Sequence, residues 1–332
     1  MLGRVTHASS TKRDDSKRPR RTFVAVFLIT VALVGLFILW QLPRAWAFVL
    51  PMRLTTVGAL AVAGITAGIS TVVFHTLTRN HILTPGLIGF DSIYVLINTL
   101  IVFFLGSSAL SGMHPIAGFV LNTVIMVAFA LVVFSPLVTS KTLTLDVLLL
   151  IGVVCGIFFR SLAGLLQKMI DPNEYQVLQD AFFASFTGID RPLLVFTLLV
   201  TLVVSAWIWH KRHVLDVMAL GQETSVGLGV GYRKESLLML AAITVLVAAS
   251  TALVGPILFL GLIVAHLAYR STGTTRHTWT LPVAALFGVS SLVGAQFILG
   301  QIFDYGTTVS VLIEFVGGIL FLFLLLRKEK LK

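Results

Sequence analysis

The chain has 332 residues, of which 57% are hydrophobic and only 11% charged, with a mean hydropathy of +0.99. A water-soluble globule carries about 25% charged residues, so this composition excludes one and describes a polytopic membrane protein. The net charge of +10 would suggest a nucleic-acid partner in a soluble domain; here membrane topology accounts for it. The single cysteine, Cys155, excludes an intrachain disulfide framework.

Residues 1–21 form a basic tail carrying Arg4, Lys12, Arg13, Lys17, Arg18, Arg20 and Arg21. It lacks apolar periodicity and is expected to be unstructured, leaving 22–332 as a single transmembrane domain. The run Phe23–Trp40 is 18 residues long, longer than the roughly 7–15 of a signal-peptide core, and is read as a retained first span. With about 17–25 apolar residues per span, the chain yields ten: 22–41, 54–78, 91–106, 116–134, 146–168, 192–210, 236–254, 256–270, 280–299 and 309–326. Only Gly255-Pro256 separates the seventh from the eighth, so nine is the competing count. An even number places both termini on one side. Nineteen basic residues then fall on that side, against Arg44, Arg53, Lys168 and Arg191 on the other, with Arg160 inside a span. This bias makes the terminal side cytoplasmic.

The second span is rich in small residues and is either surrounded by helices or lining a pathway; Thr66, Ser70 and His75 are the pathway candidates among its polar residues on the second reading. Gly64 with Gly68, and Gly152 with Gly156, have the spacing of close helix contacts. Between spans two and three lies Arg79-Asn80-His81-Ile82-Leu83-Thr84-Pro85-Gly86-Leu87-Ile88-Gly89-Phe90-Asp91. Its Pro and Gly residues break helices, Arg79 and Asn80 end the run before it, and Asp91-Ser92 are placed to cap the next helix. It is either a tight loop or the wall of a conduit, since irregular backbone at membrane depth needs protein or water around it.

The outer segment 171–192 predicts a short surface helix before a turn at Gly188. The inner segment 211–234 predicts two short amphipathic pieces flanking Gly221. Val214, Val217, Met218 and Leu220 form one apolar face, and Val226, Leu228 and Val230 another; such faces need a membrane surface or a partner protein. The chain has no Gly-x-x-x-x-Gly-Lys-[Ser/Thr], no His-Glu-x-x-His and no Cys/His cluster. It is therefore expected to be no enzyme, to hold no metal and to need no cofactor. His75 and His266 are weighed as packed or pathway residues rather than ligands. Glu314, isolated within the last span, is weighed as a structural carboxylate or a proton relay.

These residues resemble the permease subunits of type II ABC importers, which take up iron–siderophores, haem and vitamin B12. The resemblance covers nearly everything after the tail. It is carried by the turn 79–89, similar to the family's Asn-Pro-Leu-Ala-x-Pro-Gly-x-Leu-Gly, and by Ala219–Val230, similar to its cytoplasmic coupling segment. It is carried also by Gly255-Pro256-Ile257-Leu258-Phe259-Leu260-Gly261-Leu262, and by Thr307–Gly318, which looks like the iron–siderophore branch.

The resemblance implies an all-α fold of ten helices per subunit, paired about a conduit. Asn80, His81, Ile82 and Leu83 would be gate residues, with Thr139 and Ser140 beside Lys141 as a second gate element, and Thr66, Ser70 and His75 lining the pathway. Leu220, Gly221, Gln222 and Glu223 would receive the stroke of a separate cytoplasmic ATPase. Arg53 would dock an extracytoplasmic solute-binding protein, with Thr56 where a second arginine is common and none near Gln296–Gln301. The implied function is import of iron–siderophore complexes through the cell membrane, with a second identical or homologous permease subunit, both termini cytoplasmic and no nucleic-acid partner. The alternatives are the same importer class carrying haem or vitamin B12, and a secondary transporter driven by an ion gradient through Glu314 and His75.

Overall fold

A computed structural model describes residues 17–41, 46–139, 145–182, 186, 189–302 and 309–329. Among them are fourteen α-helices, one 3-10 turn at Gly86–Ile88 and no strand. In chain order the helices are α1 (Arg18–Leu39), α2 (Trp46–Thr78), α3 (Phe90–Leu105), α4 (Ser107–Gly112), α5 (Pro115–Thr139), α6 (Leu145–Gln167) and α7 (Pro172–Phe182). They continue as α8 (Arg191–His210), α9 (Arg212–Met218), α10 (Gln222–Gly227), α11 (Tyr232–Val254), α12 (Leu260–Thr272), α13 (His277–Ile302) and α14 (Val309–Glu329).

Each expected span overlaps one helix. Seven helices, α1, α2, α5, α6, α8, α11 and α13, are long and apolar enough to cross a membrane. The 16-residue α3 and 13-residue α12 are about 24 and 20 Å long, short of the ~30 Å hydrocarbon core. Backbone outside any α-helix precedes both: residues 79–89, with their single 3-10 turn, before α3, and 255–259 before α12. These two irregular pieces meet inside the bundle, where the Thr84 hydroxyl donates to the Leu258 carbonyl at 3.3 Å. Polar backbone away from water is thereby partly supplied from within the protein, as membrane depth requires.

Some boundaries differ from the sequence expectation. Helix α1 starts at Arg18, so residues 18–21 of the expected tail are helical. The Arg18 guanidinium anchors that start on the carbonyls of Arg270 and Ser271, at 3.0 and 3.2 Å. Helix α2 begins at Trp46, eight residues before the expected 54. Helix α3 is capped not by Asp91 or Ser92 but by Gly89, whose φ of +103° suits glycine alone; Asp91 lies in the first turn, buried. The expected surface helix is α7. Residues 1–16, Gly188 and Thr307 lie outside the described residues.

Helix α2 is the centre of the bundle, packing most extensively on α13 and α11. Its most apolar stretch is 72% buried, whereas those of α1 and α6 are 17% buried, which assigns α2 to protein and the other two to the periphery. The apolar residues left outside, Phe27, Leu28 and Ile29 on α1 and Val154, Ile157 and Phe158 on α6, fit an apolar surround, lipid or protein, and not water. The spacing at Gly64 and Gly68 is used: a β-carbon on Gly64 would strike the backbone of Gly288 and Val289, and one on Gly68 the backbone of Ala284. Gly156 of α6 meets Gly89 in the same way, so the second spacing seats the 79–89 turn.

Candidate functional site

One end of the bundle gathers the end of α2, the α8–α11 connection and the α12–α13 junction. Helix α2 stops at Thr78 because Arg79 adopts a positive φ of 51°, a conformation uncommon for side chains other than Asn and Asp. The turn then closes locally: the Asn80 side-chain oxygen accepts the Ile82 N–H at 3.0 Å. The exposed His81 packs edge-on against Tyr269 of α12 at 4.9 Å and His75 at 5.5 Å. Ile82 and Leu83 are half-buried, Leu83 against the main core. The four expected gate residues thus form one turn. Thr139 is the last residue of α5; its side chain, Ser140 and Lys141 lie outside the described residues.

Thr66 and Ser70, higher on α2, are fully buried and line a cavity of about 40 Å3 together with Thr84, Asp91 and Thr251. His75 lies below it, buried against His81 and Tyr269. The Thr251 hydroxyl is 3.4 Å from the Asp91 carboxylate. Among the described residues no group of three or more His, Cys, Asp or Glu could hold a metal ion.

The inner connection has the expected form, two short helices hinged at Gly221, whose φ and ψ are +102° and 164°. Its core side is Leu215 and Met218, fully buried; Leu215 was absent from the predicted apolar face, and Leu220, expected on that face with Met218, turns outward instead. Its outer side is Leu220, Val226 and Leu228, each about 60% exposed, far more than unpartnered apolar side chains in one place would normally be. Arg79, Leu220, Gly221, Gln222, Glu223 and Val226 line a cavity of about 620 Å3. The Arg79 guanidinium lies directly over Gly221.

The segment is tied down at several points. Lys211 pairs with Glu235 of α11 at 2.7 Å. The Ser225 hydroxyl lies 2.6 Å from the Gly221 carbonyl and 2.9 Å from that of Val217, locking α10 onto α9. Asp216 of α9 accepts both the backbone N–H and the ring Nδ1 of His277, at 2.8 and 2.7 Å. Burial pushes the Asp216 carboxyl up, but the hydrogen bonds from His277 outweigh it and hold the group below its usual range. On the far side of the ring, Nε2 lies 2.7 Å from the Thr76 hydroxyl of α2. No local pattern relates these three residues, which stand 61 and 201 positions apart, and sequence reasoning missed them for that reason.

At the opposite end, Arg53 turns back onto α1, its guanidinium donating to the carbonyls of Phe37, Ile38 and Trp40 at 3.2, 2.9 and 2.7 Å. It occupies the orphan acceptors of a helix C-terminus, where a cation is favoured. Thr56, Gln296 and Gln301 line one cavity of about 370 Å3 with it.

Residues 21–327 match the FecCD transport family. The chain belongs to that family. The petrobactin import system permease protein YclO of Bacillus subtilis is 39% identical over 302 residues, covering 91% of this chain and 96% of the relative. The petrobactin import system permease protein FatC of Bacillus anthracis is 33% identical over 283 residues, covering 85% and 80%. Among solved structures, a metal-chelate type ABC transporter in an inward-facing conformation matches with a TM-score of 0.80 at 23% identity, over 92% of this chain and 99% of the solved one. The fold is therefore the all-helical one of ABC importer permeases, and this FecCD member is a multi-span membrane transport subunit.

Proposed function

We propose that the chain is the permease of an ATP-driven importer for iron–siderophore complexes of the petrobactin kind, with ten spans, both termini in the cytoplasm and no ATPase of its own. The cargo assignment follows the two petrobactin permeases to which the chain is similar. The observation that carries the mechanism is the inner cavity, where exposed Leu220, Val226 and Leu228 adjoin Arg79 at the foot of α2. An ATPase subunit seated on Leu220, Gly221, Gln222 and Glu223 would push on the segment that holds the gate turn Asn80–Leu83.

The other roles are carried over from the resemblance. Thr139 and Ser140 are assigned to the gate, and Thr66, Ser70 and His75 to the path along α2. Arg160 puts an exposed charge on the flank of α6 within an apolar helix, costly against lipid. That flank is assigned to the second permease subunit and the conduit between them. Arg53 docks the solute-binding protein while also holding the end of α1, so Arg53→Lys should keep the helix end and weaken docking, whereas Arg53→Ala should harm both.

Vesicles containing the permease and its ATPase should take up ferric petrobactin only with ATP, and Glu223→Ala should leave hydrolysis running while import falls. Uptake that persists without ATP but collapses with the proton gradient would replace this reading by the ion-driven one.

A further inference from the structure

We propose that Asp216, His277 and Thr76 form the link by which displacement of the α9–α10 segment reaches the foot of α2, making them positioning residues for the gate turn. The inference rests on reading that segment as the docking point of an ATPase.

The chain of contacts is continuous. Asp216 lies on α9, His277 opens α13, and Thr76 stands two residues before the end of α2. Helix α9 packs directly on both α13 and α2. Asp216 acts as a cap supplied from another helix: one of its carboxylate oxygens accepts the backbone N–H of His277, the first residue of α13, and also the ring Nδ1 of the same residue. The His277 ring is nearly fully buried, as is Thr76, and the two are joined at 2.7 Å. Four residues beyond Thr76 is Asn80, which closes the gate turn.

Stability alone does not call for this arrangement. Apolar side chains of similar volume would hold such a junction as well or better, without the cost of burying polar groups. What hydrogen bonds near 2.7 Å add is direction and fixed separation. Apolar surfaces can slide past one another, whereas this chain carries a shift of α9 into α13 and α2 together. The Arg79 guanidinium, packed over Gly221, is a second contact between the foot of α2 and the same inner segment. Together they bracket the last turn of α2, so that it is bound to follow the inner segment.

The test uses the complete complex in vesicles, reading uptake of radioactive iron as ferric petrobactin beside ATP hydrolysis. Thr76→Val keeps the side chain's shape and removes the hydroxyl. It should lower uptake per ATP by about tenfold, a coupling of ordinary size between sites, and Thr76→Ser should restore it. Asp216→Ala should cause a similar loss. Because the link is serial, Thr76→Val with Asp216→Ala should be no worse than the larger single effect. Copurification of the ATPase with each variant shows that the complex assembles. Normal uptake per ATP in Thr76→Val, or double-variant losses that multiply, would overturn the link while leaving the importer standing, provided Glu223→Ala uncouples. Wild-type uptake without ATP would remove both.

Discussion

Gly221 sits in a backbone region that only glycine occupies freely, and a side chain there would also meet Arg79. Gly221→Ala should cost about 1–3 kcal/mol of local strain, seen as weaker copurification of the ATPase without loss of the folded bundle. Asp216 has a different signature. A carboxyl held low in the folded state adds stability above its unfolded value, about 3.9, and loses it as the pH falls through the lower folded value. The increment is complete at neutral pH and vanishes only in acid; the groups that face the carboxyl are His277 and His213. Asp216→Asn should therefore melt below the wild type at pH 7, with the two melting temperatures converging under strong acid. The sequence announces Gly221, a glycine between two amphipathic pieces, and Asn80, a local turn-former. It is silent on Asp216, because its partner arrives through tertiary packing.

At the scale of elements, α2 and α13 touch through bare backbone. A side chain at Gly288 would run into the Gly64 carbonyl, so Gly288→Val should overpack the contact by about 1–3 kcal/mol, visible as a lower melting temperature in detergent. The spacing of Gly64 with Gly68 signals that some helix comes close; it carries no information about which one, since small residues specify distance and not identity. The helix break was legible at Gly255-Pro256. The true start of α1 was not, because Arg18 is held by carbonyls some 250 residues away, while its own surroundings read as a solvated basic tail. Of the polar residues singled out on α2, Thr66 and Ser70 share a cavity and His75 packs against rings.

For the whole molecule, composition alone compelled a membrane setting, and the peripheral helices display the apolar flanks that such a setting covers. Orientation is the open test of the charge bias. With Cys155→Ser as background, Leu220→Cys should react with a membrane-impermeant maleimide in inside-out vesicles and stay unlabelled in intact cells; the opposite pattern would invert the proposed topology. What was not legible is which distant residues meet at each end of the bundle, such as Arg53 with the carbonyls of α1 or Asp216 with His277, because only the fold brings them together.

The hydroxyl of Thr84 against the carbonyl of Leu258 joins two departures from helical geometry that lie far apart in the chain. Straightening either one would break this hydrogen bond. Across relatives, then, these two stretches are bound to drift as a pair: a lineage that lengthens or loses one interruption has to remodel its counterpart, and hybrids that exchange only one of them between homologues should misassemble.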